Sequence, residues 1–397
     1  MVPTLGAIMV LRLLDSASLA GIGTSILGLS RFLVAYPVGK VTDTYGRKTG
    51  VVLGLLLSLA GAIVIGLSMV SRSFPLFLGG LLTFGLGWGA GHQLRVAAAD
   101  MYPPRRRAQG LGYVLTGSLM GALGGPVLIS AAQASSGALR LDAVALTWLL
   151  VPAVIIPGIF LVLRVRPDPK EIAANLGRYY PGYTPPAPPA RAGAPAKVGL
   201  LTFVRHYPKL VAFACNFAVQ GNMSMMMAMT SLVLDHHGHP LPAISLAVAI
   251  HVMGMFGLSL PLGRLADWLG RRFALILGLG LAAGGAVMVP ITHYYWVITT
   301  GTFLVGVGWS AVNIAASALI ADTTGAHERG RAIGANDTFS AASAIAMPLV
   351  GGPVAELLGL PWLAVVGAGL MVVPLLLALR LREVSPGRYQ EASPVQA

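Results

Sequence analysis

GKVTDTYGRK, Gly39 to Lys48, returns as GRLADWLGRR, Gly263 to Arg272, and both times the polar phrase sits between two long apolar stretches. Placing Gly39 on Gly263 also pairs Pro37 with Pro261, Asp43 with Asp267 and Gly46 with Gly270. Later landmarks follow with small gaps: GLGW at Gly85 matches GVGW at Gly306, Asp100 matches Asp322, and GGPV at Gly124 matches GGPV at Gly351. The chain is therefore a duplication. Two similar hydrophobic halves that rock against each other around a shared centre are a common build for secondary carriers, so passage of a solute across a membrane is the leading expectation.

Composition agrees. Apolar residues make up 55% of the chain and charged ones 10%, where soluble globular chains average about a quarter charged. A bilayer needs roughly 20 consecutive apolar residues per helix. Segments of that kind lie at 18–38, 49–70, 74–99, 108–132, 142–165, 209–234, 241–262, 273–291, 294–320, 330–357 and 361–382, eleven in all. The net charge of +13 could suggest nucleic acid, but the basic residues collect in short loops on one side of the spans, so no nucleic-acid partner is expected. Lys40, Arg47, Lys48, Arg105 to Arg107, Arg264, Arg271, Arg272, Arg329 and Arg331 share that side, which the positive-inside rule makes cytoplasmic. Arg31 and Arg95 fall inside spans near those ends, where long basic side chains can snorkel to the interface.

The alignment of halves sets Met1 opposite Met225, well inside the seventh span. Only Met1 to Leu11 then remains of the first span, roughly 16 Å of helix against about 30 Å of hydrocarbon, as a late start codon or a truncated gene would leave it. The expected fold is an all-α membrane protein of two pseudo-symmetric six-helix bundles with the first helix truncated. Residues 1–165 form the N-terminal bundle and 209–382 the C-terminal bundle. Between them 166–208, with its Pro-rich PGYTPPAPPARAGAPAK, is a cytoplasmic linker too poor in apolar surface to pack as a core, and 383–397 is a cytoplasmic tail. The lone Cys215 excludes an intrachain disulfide. No GxxxxGK[ST] loop and no catalytic constellation is present, so neither an ATP-driven motor nor an enzyme is expected, and no cofactor.

The hinge phrases resemble the signature loop of the major facilitator superfamily, a likeness that covers nearly the whole chain. In that family the hinge Asp, the Arg four residues on and an Asp ending the fourth span form a charge network that locks the outward-open state. The matching positions are Gly39, Asp43, Arg47 and Asp100, then Gly263, Asp267, Arg271 and Asp322. Thr44 stands where many members carry a basic residue. Read without the resemblance, these charges set topology and solvate a tight turn. Gly112, Gly121, Gly125 and Pro126 resemble the family's antiporter motif, but Ile129 and Ser130 replace its final Gly pair, and close helix packing through small residues explains the rest.

Substrate chemistry is sought where polar or polarisable groups interrupt the spans. Met223 and Met227 lie four apart on the seventh span, and His251 and Met255 repeat that spacing on the eighth, so each pair points to one face. Packing explains the methionines alone; beside His251 and Met255 they read as metal ligands, because thioethers select Cu(I) and imidazole suits copper. Cys215 offers an inner station or is a small buried hydrophobe, and His236, His237 and His239 collect metal at the outer mouth or merely solvate a loop. The paired MxxxM and HxxxM patterns look like those of the CcoA-like branch of the superfamily. That resemblance implies copper uptake across the bacterial inner (plasma) membrane by a multi-pass protein with a cytoplasmic C-terminus. Lipid surrounds it, the copper ion is substrate, and a periplasmic or cytoplasmic copper chaperone is a candidate partner.

Two rivals stand. One is proton-coupled transport or efflux of a small organic solute, with Asp337 and His251 as the candidates for proton handling, since Asp337 alone among the carboxylates lies well inside a span. The other is a non-transporting membrane protein, should the shortened first span disable the carrier.

Overall fold

The computed structural model describes Met9, Val10, Leu13 and residues 22–181, 183, 205–239 and 241–383. Most of residues 1–21, where the first span is expected, the Pro-rich part of the linker and the tail after Glu383 lie outside the described residues. Among the described residues every element is helical. In the first half these are α1 Ile22–Tyr45, α2 Arg47–Val70, α3 Phe74–Gly91, α4 Leu94–Met101, α5 Arg107–Leu139, α6 Ala143–Leu150 and α7 Pro152–Arg164. Two short helices follow, α8 Pro169–Ala174 and α9 Leu176–Tyr179. The second half holds α10 Tyr207–His236, α11 Leu241–Phe256, α12 Ser259–Leu269, α13 Arg271–Met288, α14 Tyr295–Asp322, α15 Arg329–Leu357 and α16 Trp362–Arg380.

Nine segments among the described residues are long and apolar enough to cross a membrane, and they match nine of the eleven expected spans. The other two, at 18–38 and 108–132, are the continuous helices α1 and α5, of 24 and 33 residues. Three expected spans are interrupted helices. The fourth breaks at His92 and Gln93, between α3 and α4. The sixth pauses at Val151, where Pro152 cannot supply the hydrogen bond that a continuous helix requires. The eighth breaks at Gly257 and Leu258.

The hinges differ from the loops that the sequence suggests. GKVTDTY is the last two turns of α1 and GRLADWL belongs to α12, so each turn is made by one residue, Gly46 or Gly270. Their φ values of 100° and 97° lie where only glycine is unstrained. A Cβ on Gly46 would stand 2.8 Å from the Asp168 carboxylate, and one on Gly270 2.6 Å from that of Glu383. These carboxylates accept from the first amides of the next helix: Arg47 N and Lys48 N to Asp168 at 3.1 Å each, Arg271 N and Arg272 N to Glu383 at 2.7 and 3.0 Å. A negative charge at a helix N-terminus is favoured by roughly 0.3–1 kcal/mol.

Helices pack closely through small residues, again in duplicate. A Cβ on Gly54 would come within 3.0 Å of Gly87 O, and one on Gly278 within 2.9 Å of Gly308 O. One apolar core holds Phe77, Leu81 and Trp148 of the first half. The other fills the second half and reaches across to Val96, Ala108 and Leu111, so the halves share apolar contact on the hinge side.

Candidate functional site

On the hinge side the two charge networks form and interlock. Arg47 lies 2.6 Å from both Asp43 and Asp100, and Arg271 lies 2.6 Å from Asp267 and 3.1 Å from Asp322. Each half also grips the other. Arg107, from the start of α5, pairs with Asp322 at 2.7 Å, and Arg329, from the start of α15, pairs with Asp100. Asp43 accepts from Gly330 N and Arg331 N at 2.9 Å, and Asp267 from Ala108 N and Gln109 N at 3.1 and 2.7 Å. Asp43 and Asp267 therefore each sit on the N-terminus of a helix from the opposite half, where the macrodipole favours a negative charge. Thr44 donates to Lys40 O within its own helix and takes no part. Gly39 and Gly263 press on Gly330 O and Ala108 O, too near for any side chain. The state described is closed on the hinge side.

Arg95 and Arg31 do not snorkel, contrary to expectation. Arg95 is 3% exposed and turns inward. Its Nη2 donates to both oxygens of Asp337 at 2.6 Å, and its Nη1 donates to Asn313 Oδ1 at 2.9 Å. The α3–α4 break places its stem there. His92 Nδ1 lies 3.3 Å from Arg95 Nη2 and its ring meets Trp88 edge-on at 5.7 Å between centroids. The Arg31 guanidinium lies 6.0 Å from the Trp88 ring centroid, and its Nε has no hydrogen-bond partner. Thus α1, α3, α4, α14 and α15 bring two guanidiniums, an imidazole and a carboxylate together where the halves meet. Only Asp337 was singled out from sequence. The others carried the same signal, an ionisable side chain inside a span, and the snorkelling explanation set it aside.

The methionine and histidine pairs meet one helix in common, α14. His251 is 1% exposed, and its Nδ1 lies 2.7 Å from Thr302 O. A carbonyl only accepts, so Nδ1 carries the proton and Nε2, which has no partner, keeps a lone pair. A Cβ on Gly306 would lie 3.1 Å from Met255 N and 3.3 Å from His251 Nδ1, so the turn that carries both ligand candidates presses on α14. On α10, Gln220 accepts from Trp309 Nε1 at 2.8 Å and Thr230 bonds Thr302 Oγ1 at 3.2 Å. Met223 and Met227 fall between Gln220 and Thr230 on that stripe, Met223 buried and Met227 half-buried.

Of the accessory metal candidates, Cys215, His237 and His239 have contacts of their own. Cys215 is fully buried, and its Sγ lies 3.9 Å from Pro374 O on α16. It is a packed hydrophobe. His237 Nδ1 bonds Val233 O at 2.7 Å and His239 Nε2 bonds His293 O at 3.1 Å, so both serve the loop, while the His236 side chain lies outside the described residues. Among the described residues no three His, Cys, Asp or Glu are grouped to hold a metal. Any metal site here would rest on thioethers with a single imidazole.

Similarity to known proteins follows the same architecture. The family model described as Major Facilitator Superfamily matches residues 1–227 and again 212–397. The uncharacterised MFS-type transporter YdeG of Bacillus subtilis is 28% identical over 351 residues, 86% of this chain and 79% of its own length. The riboflavin transporter RfnT of Brucella anthropi is 25% identical over 388 residues, 95% of this chain and 91% of its own. Among solved structures, the human organic anion transporter MFSD10 (TETRAN) aligns with a TM-score of 0.70 at 21% identity, over 91% of this chain and 84% of that one. The Escherichia coli fucose:proton symporter FucP aligns at 0.69 and 13% identity, over 95% and 94%. At these identities the structures speak for the fold alone.

Proposed function

This chain belongs to the Major Facilitator Superfamily, and from that premise we propose that it moves a small organic solute by alternating access, coupled to protons through Arg95 and Asp337. It is a multi-pass membrane transporter and not an enzyme. The observation that carries the reading is the buried ion pair of Arg95 and Asp337, with both carboxylate oxygens 2.6 Å from Nη2, joining α4 of one half to α15 of the other. A proton on Asp337 removes the charge that holds Arg95, so the link between halves loosens and Arg95 is left to a new partner. An intramembrane charge pair is costly to maintain and marks a coupling or substrate path by default. Organic cargo is favoured also by the name of one relative, a riboflavin transporter.

The abundance of Arg and Lys on the hinge side favours a cytoplasmic position for that side, with the end of α16 beside it, and the bacterial relatives favour the plasma membrane of a bacterium. The charge networks then act as the cytoplasmic lock. The test is flux into proteoliposomes under an imposed pH gradient, with riboflavin as the first probe and a panel of sugars and carboxylates behind it. Asp337→Asn should abolish the gradient-driven component and spare exchange. Gradient-driven uptake that survives Asp337→Asn unchanged would end the reading.

Copper uptake is the second reading, favoured by the unpartnered Nε2 of buried His251 beside the Met255 turn and the Met223–Met227 stripe. The second nitrogen of a metal-bound histidine is ordinarily held as Thr302 O holds Nδ1. An inside-negative potential would draw in a monovalent cation by about 2.3 kcal/mol per 100 mV. Cu(I) uptake by the same proteoliposomes, compared with His251→Ala, separates the two.

A further inference from the structure

We infer that the transported solute is an anion bearing a flat aromatic ring, held by Arg31 and seated on Trp88. The inference rests on the organic-solute reading above and adds its substrate class. Asp337 and Arg95 satisfy one another, so Arg31 is a second guanidinium with no carboxylate of its own. The charges that bear on it are those same two groups, Asp337 attracting and Arg95 repelling. Guanidinium stays charged at any accessible pH, and an unneutralised charge inside a span is expensive. Arg31 is only half-buried, with its Nε unpartnered, so a bound carboxylate or phosphate could complete the set.

Trp88 supplies the second half of the argument. It is 48% exposed, an unusual position for the largest apolar side chain next to one half-buried guanidinium, Arg31, and close to a buried one, Arg95. Gly87, one residue earlier, faces Ser58 of α2, whereas Trp88 meets the His92 ring edge-on and lies beside Arg31. Trp88 and His92 thus lie on the flank of the fourth span that meets Arg31 of α1, and Arg95, just past the break, reaches Asn313 and Asp337 of the second half. A ring laid on Trp88 with its anionic group on Arg31 would gain both stacking and a charge-assisted bond.

Duplication shows that the cluster is not scaffold. In the registers that pair Gly39 with Gly263 and GLGW with GVGW, Arg31 corresponds to Met255 and His92 to Asn313, while Trp88 corresponds to Trp309. Trp309 gives its Nε1–H to Gln220 and packs on Phe256 at 6% exposure. The hinge aspartates Asp43 and Asp267, which serve both halves alike, stayed alike; the cations appeared in one half alone.

The test is equilibrium binding to the purified full-length protein in detergent near neutral pH, without any gradient, using 2-naphthoate, its neutral amide 2-naphthamide, and cyclohexanecarboxylate. Naphthoate should bind at least about tenfold tighter than either comparator, a factor worth roughly 1.4 kcal/mol. Arg31→Gln should erase the preference for carboxylate over amide, Arg31→Lys should keep part of it, and Trp88→Leu should erase the preference for the aromatic ring. Amide bound as tightly as carboxylate, an unchanged ratio in Arg31→Gln, or no binding of any probe by a cooperatively melting protein would each overturn the inference. Because no gradient enters, loss of coupling in Asp337→Asn is a separate result: an anion-selective site with no proton coupling would sink the coupling and spare this assignment.

Discussion

Arg107 of the first half and Asp322 of the second lie 2.7 Å apart, and their duplicates Arg329 and Asp100 repeat the exchange in the opposite sense. Each half therefore donates an arginine into the other half's Asp–Arg network. The closed hinge side is held by paired, buried, reciprocal contacts instead of by surface charges, whose pairs contribute little.

That reciprocity sets the first expectation. A cysteine replacing Thr324, 7% exposed on the hinge side, should react slowly with a bulky maleimide in the otherwise unaltered protein. Asp43→Asn or Asp267→Asn should raise the rate severalfold, and to similar extents, because each removes a carboxylate that caps a helix of the opposite half. Strongly unequal effects would show that one half dominates the lock.

Asp337→Leu with Arg95 retained should lower stability by about 3–5 kcal/mol, the usual cost of orphaning a buried charge. The double variant Arg95→Met with Asp337→Leu should regain most of the melting temperature yet remain dead in gradient-driven uptake. Recovery of both would make the pair structural.

Gly46→Ala and Gly270→Ala should each cost about 1–3 kcal/mol, since a side chain at φ near 100° is strained. Each also drives a methyl group into a carboxylate, Asp168 or Glu383. Combining Gly46→Ala with Asp168→Ala should therefore cost less than the sum of the two, because the residues are in contact. Thermal melts of the four proteins check this directly.

Cu(I) titration of purified protein decides the metal candidates. If the second reading holds, His251→Ala and Met255→Ala abolish binding while Cys215→Ala leaves it unchanged, because Sγ packs against Pro374 O of α16. Loss of binding in Cys215→Ala would make Cys215 an inner station instead of a packing residue.

Much of this protein was legible along the chain. The repeated hinge phrase, the length of the apolar runs and the one-sided Arg and Lys determined a duplicated helical membrane bundle, because hydrophobic length and internal symmetry are local, countable properties. The pairing of Arg47 and Arg271 with their aspartates was implied only by the family resemblance, and the crossing partners Arg107 and Arg329 needed the tertiary structure. Spacing also put Met223 with Met227 and His251 with Met255 on shared helix faces. What faces meet is another matter. Only the tertiary structure brought Arg95 to Asp337, 242 positions away, left Arg31 without a carboxylate, and turned Cys215 toward α16. A basic residue near a span end has the same sequence signature whether it reaches outward to water or inward to a partner. The choice falls to the lower-energy environment, and that exists only once the two halves have closed around it.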